Sequence, residues 1–418
     1  MDWSNIDLGY FELPLIFIWW VTGSLWLGFG GVFFVAACRF LQQYSSRIVT
    51  YVAIPFIWIV GEMFGSLVFS VMTFGPGGSI TTALSFGYLG YLLAEHNVLI
   101  QVAQVTGVYS LGVLFVSLAT MIYVCVINPT YKKYGLVLFA FVMMTSFFPL
   151  PEENSDGDSY TVAVIDTHFD LSDLRTQVGR DEIKVQLETA VQAALQLKPD
   201  YILLPEDAQY FNQQNTPNLE ASQFSFRTQH SDVIIVDSGR ADDSDRAVVQ
   251  SFVYNGKEGV VDQSHKRYLV PQGEFMPSLY VAGLKLFGRD EVIDQFAQTV
   301  AFTVGSNPSQ KNHAATSPGV LFCFESVSPW GVRTILSERG EVPFIAHPVS
   351  HAWFNQPYTL WSQLTNMLRV QAIWNQEYII TAGNKFKGYA ITPKGNIIYL
   401  QEMTGESDWL VGVVAIPK

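Results

Sequence analysis

The chain has 418 residues, of which 49% are hydrophobic and only 15% charged, a low charged fraction for a protein surrounded by water on all sides. Its formal net charge of −13 excludes nucleic acid as an expected partner, because phosphate binding needs a basic face. The first 150 residues contain four basic and five acidic side chains, so nearly all of the negative charge lies beyond them. The composition therefore predicts an apolar N-terminal part and an acidic, water-compatible remainder.

Four long apolar stretches occupy the N-terminal part, over residues 13–38, 49–74, 98–127 and 134–150. The first three are long enough to cross a bilayer, and the last is near the lower limit. A cleaved signal peptide is excluded for the first stretch, because its leader is acidic and its apolar run is too long. Residues 1–150 are therefore predicted to form a transmembrane α-helical bundle of about four spans. Glu62 lies inside the second stretch, where an ionisable group usually has a partner or a function.

Basic residues orient the predicted spans. Arg39 and Arg47 lie between the first and second stretches, and Lys132 and Lys133 lie between the third and fourth. By the positive-inside rule these two loops are cytoplasmic, which places the N-terminus, residues 75–97 and everything after residue 150 on the outer side. Residues 75–97 are rich in Gly and aromatic side chains, a composition that fits either an interfacial or re-entrant segment or a simple loop.

Residues 160–418 follow an acidic linker at 151–159 and show alternating strand-like and helical patterns. Strands are predicted at 160–166, 201–204, 232–236, 248–254, 320–324, 343–346, 378–382, 388–391 and 396–400, and helices at 181–197 and 358–374. This alternation predicts a layered α/β domain in which helices cover sheets.

Three motifs in this domain follow predicted strands or lie in the loops after them, where catalytic groups of α/β folds gather. They are Pro-Glu ending at Glu206, a Lys-Arg-Tyr-Leu-Val-Pro-Gln-Gly-Glu run from Lys266 to Glu274, and Cys-Phe-Glu starting at Cys323. Taken alone, each has an ordinary structural explanation: a solvated turn, a surface charge or a small buried hydrophobe. Their joint occurrence is much harder to explain in that way and indicates a catalytic site.

Together the motifs resemble the carbon–nitrogen hydrolase (nitrilase) superfamily and, within it, the bacterial apolipoprotein N-acyltransferases. Those enzymes carry Pro-Glu after a strand, a Lys followed by Leu-Val-Pro-x-Gly-Glu-x-x-Pro, and Cys-Tyr-Glu, and this chain has the corresponding residues in the same order. The resemblance extends from about residue 50 to about residue 400, and in the apolar part it includes Trp58 and Glu62. It implies a nitrilase-like αββα sandwich at residues 160–418, following the membrane bundle.

The chain departs from the family pattern at several points. The family usually has more membrane helices before this region and one after the catalytic domain, so the membrane region here is shortened. Tyr268 and Gln272 stand where the family has His and Phe, and Ser350 and His351 stand where it has Asn and Asp. The resemblance therefore covers the catalytic motifs better than the substrate-binding positions.

The resemblance also implies roles for the site residues. A thiol of ordinary pKa is mostly protonated at neutral pH, so Cys323 needs a base, and Glu206 is expected to take its proton and later return it. Lys266 is expected to stabilise the thiolate and the oxyanion of the tetrahedral intermediate, while Glu274 orients Lys266 or keeps it protonated.

Four aromatic or acidic residues are expected to support these groups. Phe324 and Glu325 are expected to shape the pocket and position the nucleophile. Trp353 and Phe354 fit either a mobile hydrophobic lid or ordinary core aromatic residues. The resemblance implies no metal and no cofactor.

The implied reaction is N-acyl transfer through a cysteine thioester, from a phospholipid to the N-terminal amine of a diacylglyceryl-cysteine lipoprotein. The resemblance places it in a monomer of the bacterial inner membrane, with the catalytic domain on the periplasmic face. The main alternative is a membrane-anchored amidase or nitrilase that hydrolyses a C–N bond with the same residues. A non-catalytic binding or scaffold protein is a further alternative, which the joint presence of all the motifs disfavours.

Overall fold

The computed structural model describes residues 12–128, 157–170, 176–211, 233–243, 246–300, 302–305, 316–352 and 358–418, together with the single positions 133, 137, 140, 144, 148 and 173. Within these ranges, a group of apolar helices is followed by two β-sheets that carry helices on their outer faces. The linker predicted at 151–159 lies mostly outside the described residues and stays a prediction.

Three of the described helices are long and apolar enough to cross a membrane. The α-helices described in this part are α1 (Glu12–Tyr44), α2 (Arg47–Met72), the one-turn helix α3 (Ala103–Thr106) and α4 (Val108–Ile127). The predicted third span was wrong at its start, because Gly107 adopts a φ of +63° that interrupts the helix. The predicted fourth span, 134–150, lies outside the described residues except at single positions.

Glycines let α1 and α2 approach each other closely. A Cβ atom at Gly30 would lie 2.3 Å from the carbonyl oxygen of Gly61, and one at Gly65 would lie 2.4 Å from that of Leu27. Small residues at such contacts allow the backbones of membrane helices to pack directly. The pair therefore has the packing expected of two spans inside a bilayer.

The connecting segment (residues 73–107) joins α2 to α4 and contains two short 3₁₀ helices, Leu89–Leu93 and Leu99–Val102. Glu62 of α2 ties this segment to the spans, because its Oε1 accepts hydrogen bonds from the Trp58 indole and the Leu89 backbone N–H, both at 2.8 Å. The expectation that this intramembrane carboxylate has partners is confirmed.

The connecting segment also contacts the domain that follows. The backbone N–H of Ser278 donates to the Phe74 carbonyl at 2.8 Å, and the Ser85 hydroxyl donates to the Val327 carbonyl at 2.6 Å. Part of residues 75–97 therefore contacts the C-terminal domain as well as the spans.

Within the described residues, twelve strands form the two sheets of the C-terminal domain. They are β1 (Ser159–Thr167), β2 (Tyr201–Leu203), β3 (Ile234–Asp243), β4 (Arg246–Asn255), β5 (Gly259–His265), β6 (Gly319–Val320), β7 (Ile345–Ser350), β8 (Ile379–Asn384), β9 (Tyr389–Ile391), β10 (Ile397–Tyr399), β11 (Gln401–Gly405) and β12 (Trp409–Pro417). The first sheet has the order β11-β12-β1-β2-β3-β4-β5, and the second has β6-β7-β8-β9-β10. One paired position, Thr167 with Asn384, links them.

Helices cover the outer faces of both sheets. The α-helices that the structure describes in this domain are α5 (Gln177–Gln196), α6 (Ser278–Leu286), α7 (Asp290–Val300), α8 (Gly331–Arg339) and α9 (Tyr358–Asn375). Along β1, Val162 and Val164 pack between the two sheets, whereas Ala163 and Ile165 pack with α5, as the two-residue period of a strand requires. Helices α8 and α9 pack on the second sheet. The predicted αββα sandwich is confirmed.

One predicted strand, 320–324, was too long. The structure has only Gly319–Val320 as strand, and Cys323 begins a 3₁₀ helix that runs to Val327. The Glu325 carboxylate accepts the Phe322 backbone N–H at 3.0 Å, and the Phe322 carbonyl accepts the Glu325 N–H at 2.6 Å. These local bonds turn the chain before the strand can continue, so Cys323 lies in a turn after the strand.

Candidate active site

Glu206 lies in a turn at the end of β2 that the neighbouring strand β3 holds in place. The Ser238 hydroxyl donates to the Pro205 carbonyl at 3.2 Å and accepts the Asp207 backbone N–H at 3.0 Å. Beneath it, the buried Asp237 carboxylate accepts the backbone N–H groups of Phe211 and Ser238, both at 2.8 Å. The carboxylate of Glu206 is therefore positioned by bonds to the residues on either side of it.

Lys266 follows β5 and is almost completely buried, with 1% of its surface exposed. Its Nζ donates to Glu206 Oε1 at 2.9 Å and to Glu274 Oε1 at 2.6 Å. Burial lowers the pKa of Lys266, but the two carboxylates raise it more, so the pKa lies well above 10.5. Lys266 is therefore a fixed positive charge and cannot serve as a base near neutral pH.

The loop from Lys266 to Glu274 folds back on itself. Glu274 Oε2 accepts the Val270 backbone N–H at 2.8 Å, and the Val270 carbonyl accepts the backbone N–H groups of Gly273 and Glu274. Gln272 adopts a φ of +66°, which the turn needs. The carboxylate of Glu274 thus closes its own loop with one oxygen and binds Lys266 with the other.

Cys323 is buried at the start of its 3₁₀ helix. Its carbonyl accepts hydrogen bonds from the Ser326 hydroxyl at 2.8 Å and from His347 Nε2 at 3.2 Å. Burial raises the pKa of the Cys323 thiol well above 9.0, and the Glu206 carboxylate adds to this rise. The Lys266 charge and the Ser350 backbone N–H act in the opposite direction. The resting thiol is therefore neutral and needs a base before it can attack a carbonyl.

The base candidate has the electrostatic environment that this step requires. Burial raises the pKa of Glu206 above 4.5, the Lys266 charge lowers it, and the nearby Glu274 carboxylate raises it again. The net rise in pKa makes Glu206 a stronger base than a solvated carboxylate, as general-base catalysis favours. Glu206, Lys266, Glu274 and Cys323 interact electrostatically in one buried cluster, so the structure brings together all four predicted catalytic residues.

Glu325 connects the two loops of the site. Its Oε1 accepts the Arg267 backbone N–H at 2.5 Å, and its Oε2 accepts the Phe322 backbone N–H at 3.0 Å. Arg267, next to Lys266, is thereby joined to Phe322, which precedes Cys323. Phe324 packs against Phe86 of the connecting segment, with ring centroids 5.7 Å apart. Trp353 and Phe354 lie outside the described residues.

Several residues near the site were not predicted from the sequence. Asp237 and Ser238 position the Glu206 turn, and a polar pair directly after the apolar run Ile234–Val236 was the available signal. Burial lowers the pKa of His347 to about 4, so its ring is neutral where it contacts the Cys323 carbonyl. No local sequence signal indicated that Ser85, about 240 residues away in sequence, reaches the turn that Cys323 starts.

The chain is similar to known proteins over most of its length. No family model matches the chain. An apolipoprotein N-acyltransferase from Rickettsia typhi is 20% identical over 415 residues, which cover 95% of this chain and 74% of that protein. One from Geobacter metallireducens is 24% identical over 335 residues, which cover 76% of this chain and 62% of that protein.

Solved structures of low sequence identity are also similar to this chain. An amidase from Nesterenkonia sp. AN1 is 13% identical, with a TM-score of 0.41 and coverage of 63% of this chain and 93% of that one. A carbon–nitrogen hydrolase from Helicobacter pylori G27 is 13% identical, with a TM-score of 0.41 and coverage of 61% and 88%. The resemblance predicted from the motifs is confirmed by the curated relatives: proteins named apolipoprotein N-acyltransferase match this chain over most of its length.

Proposed function

We propose that the protein transfers a fatty acyl chain from a phospholipid to the N-terminal amine of a diacylglyceryl-cysteine lipoprotein, through a thioester on Cys323. The observation that carries the proposal is the buried ammonium group of Lys266, which binds both Glu206 and Glu274 and interacts electrostatically with the Cys323 thiol. A neutral thiol, a carboxylate base and a fixed cation are the groups that cysteine-based acyl transfer requires.

The first half-reaction forms the thioester. Glu206 takes the thiol proton, and the Cys323 sulfur attacks the ester carbonyl carbon of the phospholipid. The Lys266 ammonium stabilises the oxyanion of the tetrahedral intermediate. When the carbon–oxygen bond breaks, Glu206 returns the proton to the leaving oxygen, and a lysophospholipid departs.

The second half-reaction consumes the thioester. The lipoprotein amine attacks the thioester carbonyl, and Glu206 takes a proton from the attacking nitrogen. Lys266 again stabilises the oxyanion, and the carbon–sulfur bond then breaks. Glu206 returns its proton to the sulfur of Cys323, which restores the neutral thiol. Exclusion of water from the site favours attack by the amine over hydrolysis.

The membrane part supports lipid substrates and an outer, periplasmic location for the sandwich. The connecting segment, which contacts the sandwich, contains no Lys or Arg, whereas Arg39 and Arg47 lie at the opposite ends of the spans. The carbonyl of Phe148 accepts a hydrogen bond from the Asn97 side chain at 3.3 Å. Phe148, which follows α4 in the chain, therefore lies on the side that carries the sandwich.

A label-transfer experiment tests the proposal. The purified chain in lipid nanodiscs is incubated with a phospholipid that carries a tagged acyl chain, and a diacylglyceryl peptide is then added. We expect a tag on Cys323 that moves to the peptide amine. The Cys323→Ala variant should carry no tag, whereas the matched control Cys125→Ala, altered in α4, should behave as the unaltered protein.

Three other results would contradict the proposal. A tag that forms on Cys323 and passes only to water would make the protein a hydrolase, and cleavage of small amides by the same preparation would identify the amidase alternative. If no substrate tags Cys323 and the Cys323→Ala variant retains all measurable activity, the cluster is not catalytic.

A further inference from the structure

Helix α6 exposes large apolar side chains although it belongs to the C-terminal domain. Leu279 is 50% exposed, Leu286 is 83% exposed, and Phe287, which ends the helix, is 80% exposed. Leu284, by contrast, is buried. Leu279 and Leu286 are seven residues apart and therefore share one face of the helix. A concentrated apolar face of this kind marks a surface that contacts something other than water.

The start of α6 lies at the end of a membrane-spanning helix. The backbone N–H of Ser278 donates to the carbonyl of Phe74, two residues after the end of α2, at 2.8 Å. A Cβ atom at Gly75 would lie 2.5 Å from the Met276 carbonyl oxygen, so the backbones of these two segments are in direct contact. Phe74 is itself partly exposed beside this contact. The apolar face of α6 therefore begins where α2 leaves the bilayer.

We propose that α6 is an interfacial helix that binds the lipid surface on the side of the membrane that carries the sandwich. In this position Leu279, Leu286 and Phe287 enter the boundary between headgroups and acyl chains. The exposed Lys285, in the last turn of the helix, extends its ammonium group toward the lipid phosphates. A bilayer is the occupant that the continuity with α2 indicates.

This contact has a consequence for the active site. Only Phe275, Met276 and Pro277 separate Glu274 from the start of α6. Binding of α6 to lipid therefore holds the loop that carries Lys266 and Glu274 close to the bilayer surface. Membrane binding by α6 does not depend on the proposed reaction.

Fluorescence quenching in the full-length chain tests the placement of α6. The three native cysteines are removed by Cys38→Ser, Cys125→Ser and Cys323→Ala, and Leu286→Cys is labelled with bimane in nanodiscs of phosphatidylethanolamine and phosphatidylglycerol. Val185→Cys is the matched control, because Val185 is 67% exposed on α5, which packs on the outer face of the first sheet. Quenchers are a lipid with a nitroxide near its headgroup and aqueous iodide.

We expect the nitroxide lipid to quench the label at residue 286 several times more strongly than the label at residue 185, and iodide to show the reverse order. Leu279→Cys should behave as Leu286→Cys. Equal lipid quenching at residues 286 and 185 would place α6 in water and overturn the proposal. Protection of residue 286 from both quenchers would show that a second copy or another protein covers the helix, which also overturns it. None of these outcomes requires the chain to have any activity.

Discussion

The two sides of the candidate active site are held by different parts of the molecule. Glu206 is positioned from within the sandwich, by Ser238 and Asp237 of the neighbouring strand. The turn that Cys323 starts is contacted from the connecting segment, because Ser85 binds the Val327 carbonyl and Phe86 packs on Phe324. The comparison indicates that the connecting segment contributes to positioning the nucleophile, together with Ser326 and His347 of the sandwich, whereas the contacts that the described residues make to the Glu206 turn come from the sandwich.

The loop from Lys266 to Glu274 lies between the sandwich and the connecting segment. Its Glu274 binds Lys266 inside the sandwich, whereas Phe275 lies directly beneath the connecting segment. A Cβ atom at Gly78 would lie 2.7 Å from the Phe275 ring. Substitutions can therefore separate the base, the cation and the nucleophile, and each should change a different measurement.

The largest effect is expected on the base side, from Glu206→Gln. The amide keeps the size of the carboxylate and can still accept from Lys266, but it cannot take a proton from Cys323. Loss of a general base costs typically 10²- to 10⁴-fold, so we expect the rate of Cys323 acylation to fall by about that factor. The rate is measured from the burst of lysophospholipid. The exposed control Glu182→Gln, on α5, should leave it unchanged, and a fall below tenfold for Glu206→Gln would assign the proton transfer to another group.

The pH profile should report on the same side of the site. Glu206 must be ionised to act, and its pKa is raised above 4.5 by burial, so the acylation rate should fall as the pH drops through that raised pKa. Well below it, the rate should fall about tenfold per pH unit. No alkaline fall is expected below pH 10, because the pKa of Lys266 lies well above 10.5. A profile that falls on raising the pH from 7 to 9 would contradict this assignment.

Glu274→Gln should have a smaller effect and should act through Lys266. Glu274 accepts from Lys266 with one oxygen and from the Val270 N–H with the other, and the amide has a single acceptor oxygen, so one of these bonds is lost and the charge beside Lys266 disappears. A hydrogen bond to a charged group contributes about 1.5–3 kcal/mol, so acylation should slow by about 10- to 100-fold. The Glu274 carboxylate also raises the pKa of Lys266, so the variant should acquire an alkaline fall at lower pH than the unaltered protein. If the variant is slower but its rate falls at the same alkaline pH as that of the unaltered protein, Glu274 stabilises only the fold of its own loop and does not act through Lys266.

The sequence predicted those parts of the molecule that depend on local pattern. The strand at 160–166 and the helix at 358–374 follow from local sequence patterns. The grouping of Glu206, Lys266, Glu274 and Cys323 follows from the order of three short motifs and from their resemblance to a known family. The parts that depend on distant contacts were not predicted. Strand β12 pairs with β1 along its whole length, yet Gly412 in its middle disfavours a strand assignment when the partner is unknown.

The start of the third span and the length of the strand before Cys323 were wrong for a related reason. In both cases the apolar run continues, but a single residue stops the regular structure: Gly107 through its left-handed backbone and Glu325 through its bonds to Phe322. Hydropathy alone does not show such interruptions, because they depend on backbone conformation and side-chain hydrogen bonds.

The smallest effect is expected on the nucleophile side, from Ser85→Ala. The variant removes the hydroxyl that donates to the Val327 carbonyl and that contacts the Tyr91 hydroxyl, but it keeps the weaker backbone bond from residue 85 to Val327. One such bond contributes about 0.5–1.5 kcal/mol net, so the acylation rate should fall by about 2- to 10-fold with an unchanged acid limb of the pH profile. The control Ser70→Ala removes a buried hydroxyl that binds Leu67 and Thr81 only within the membrane part. Ser85 contacts the turn that Cys323 starts, whereas the bonds of Ser70 stay within the membrane part. An equal loss of acylation rate in Ser85→Ala and Ser70→Ala would therefore refute the contribution of the connecting segment to the nucleophile side. A shifted acid limb in Ser85→Ala would show that Ser85 acts on Glu206 and would refute it as well.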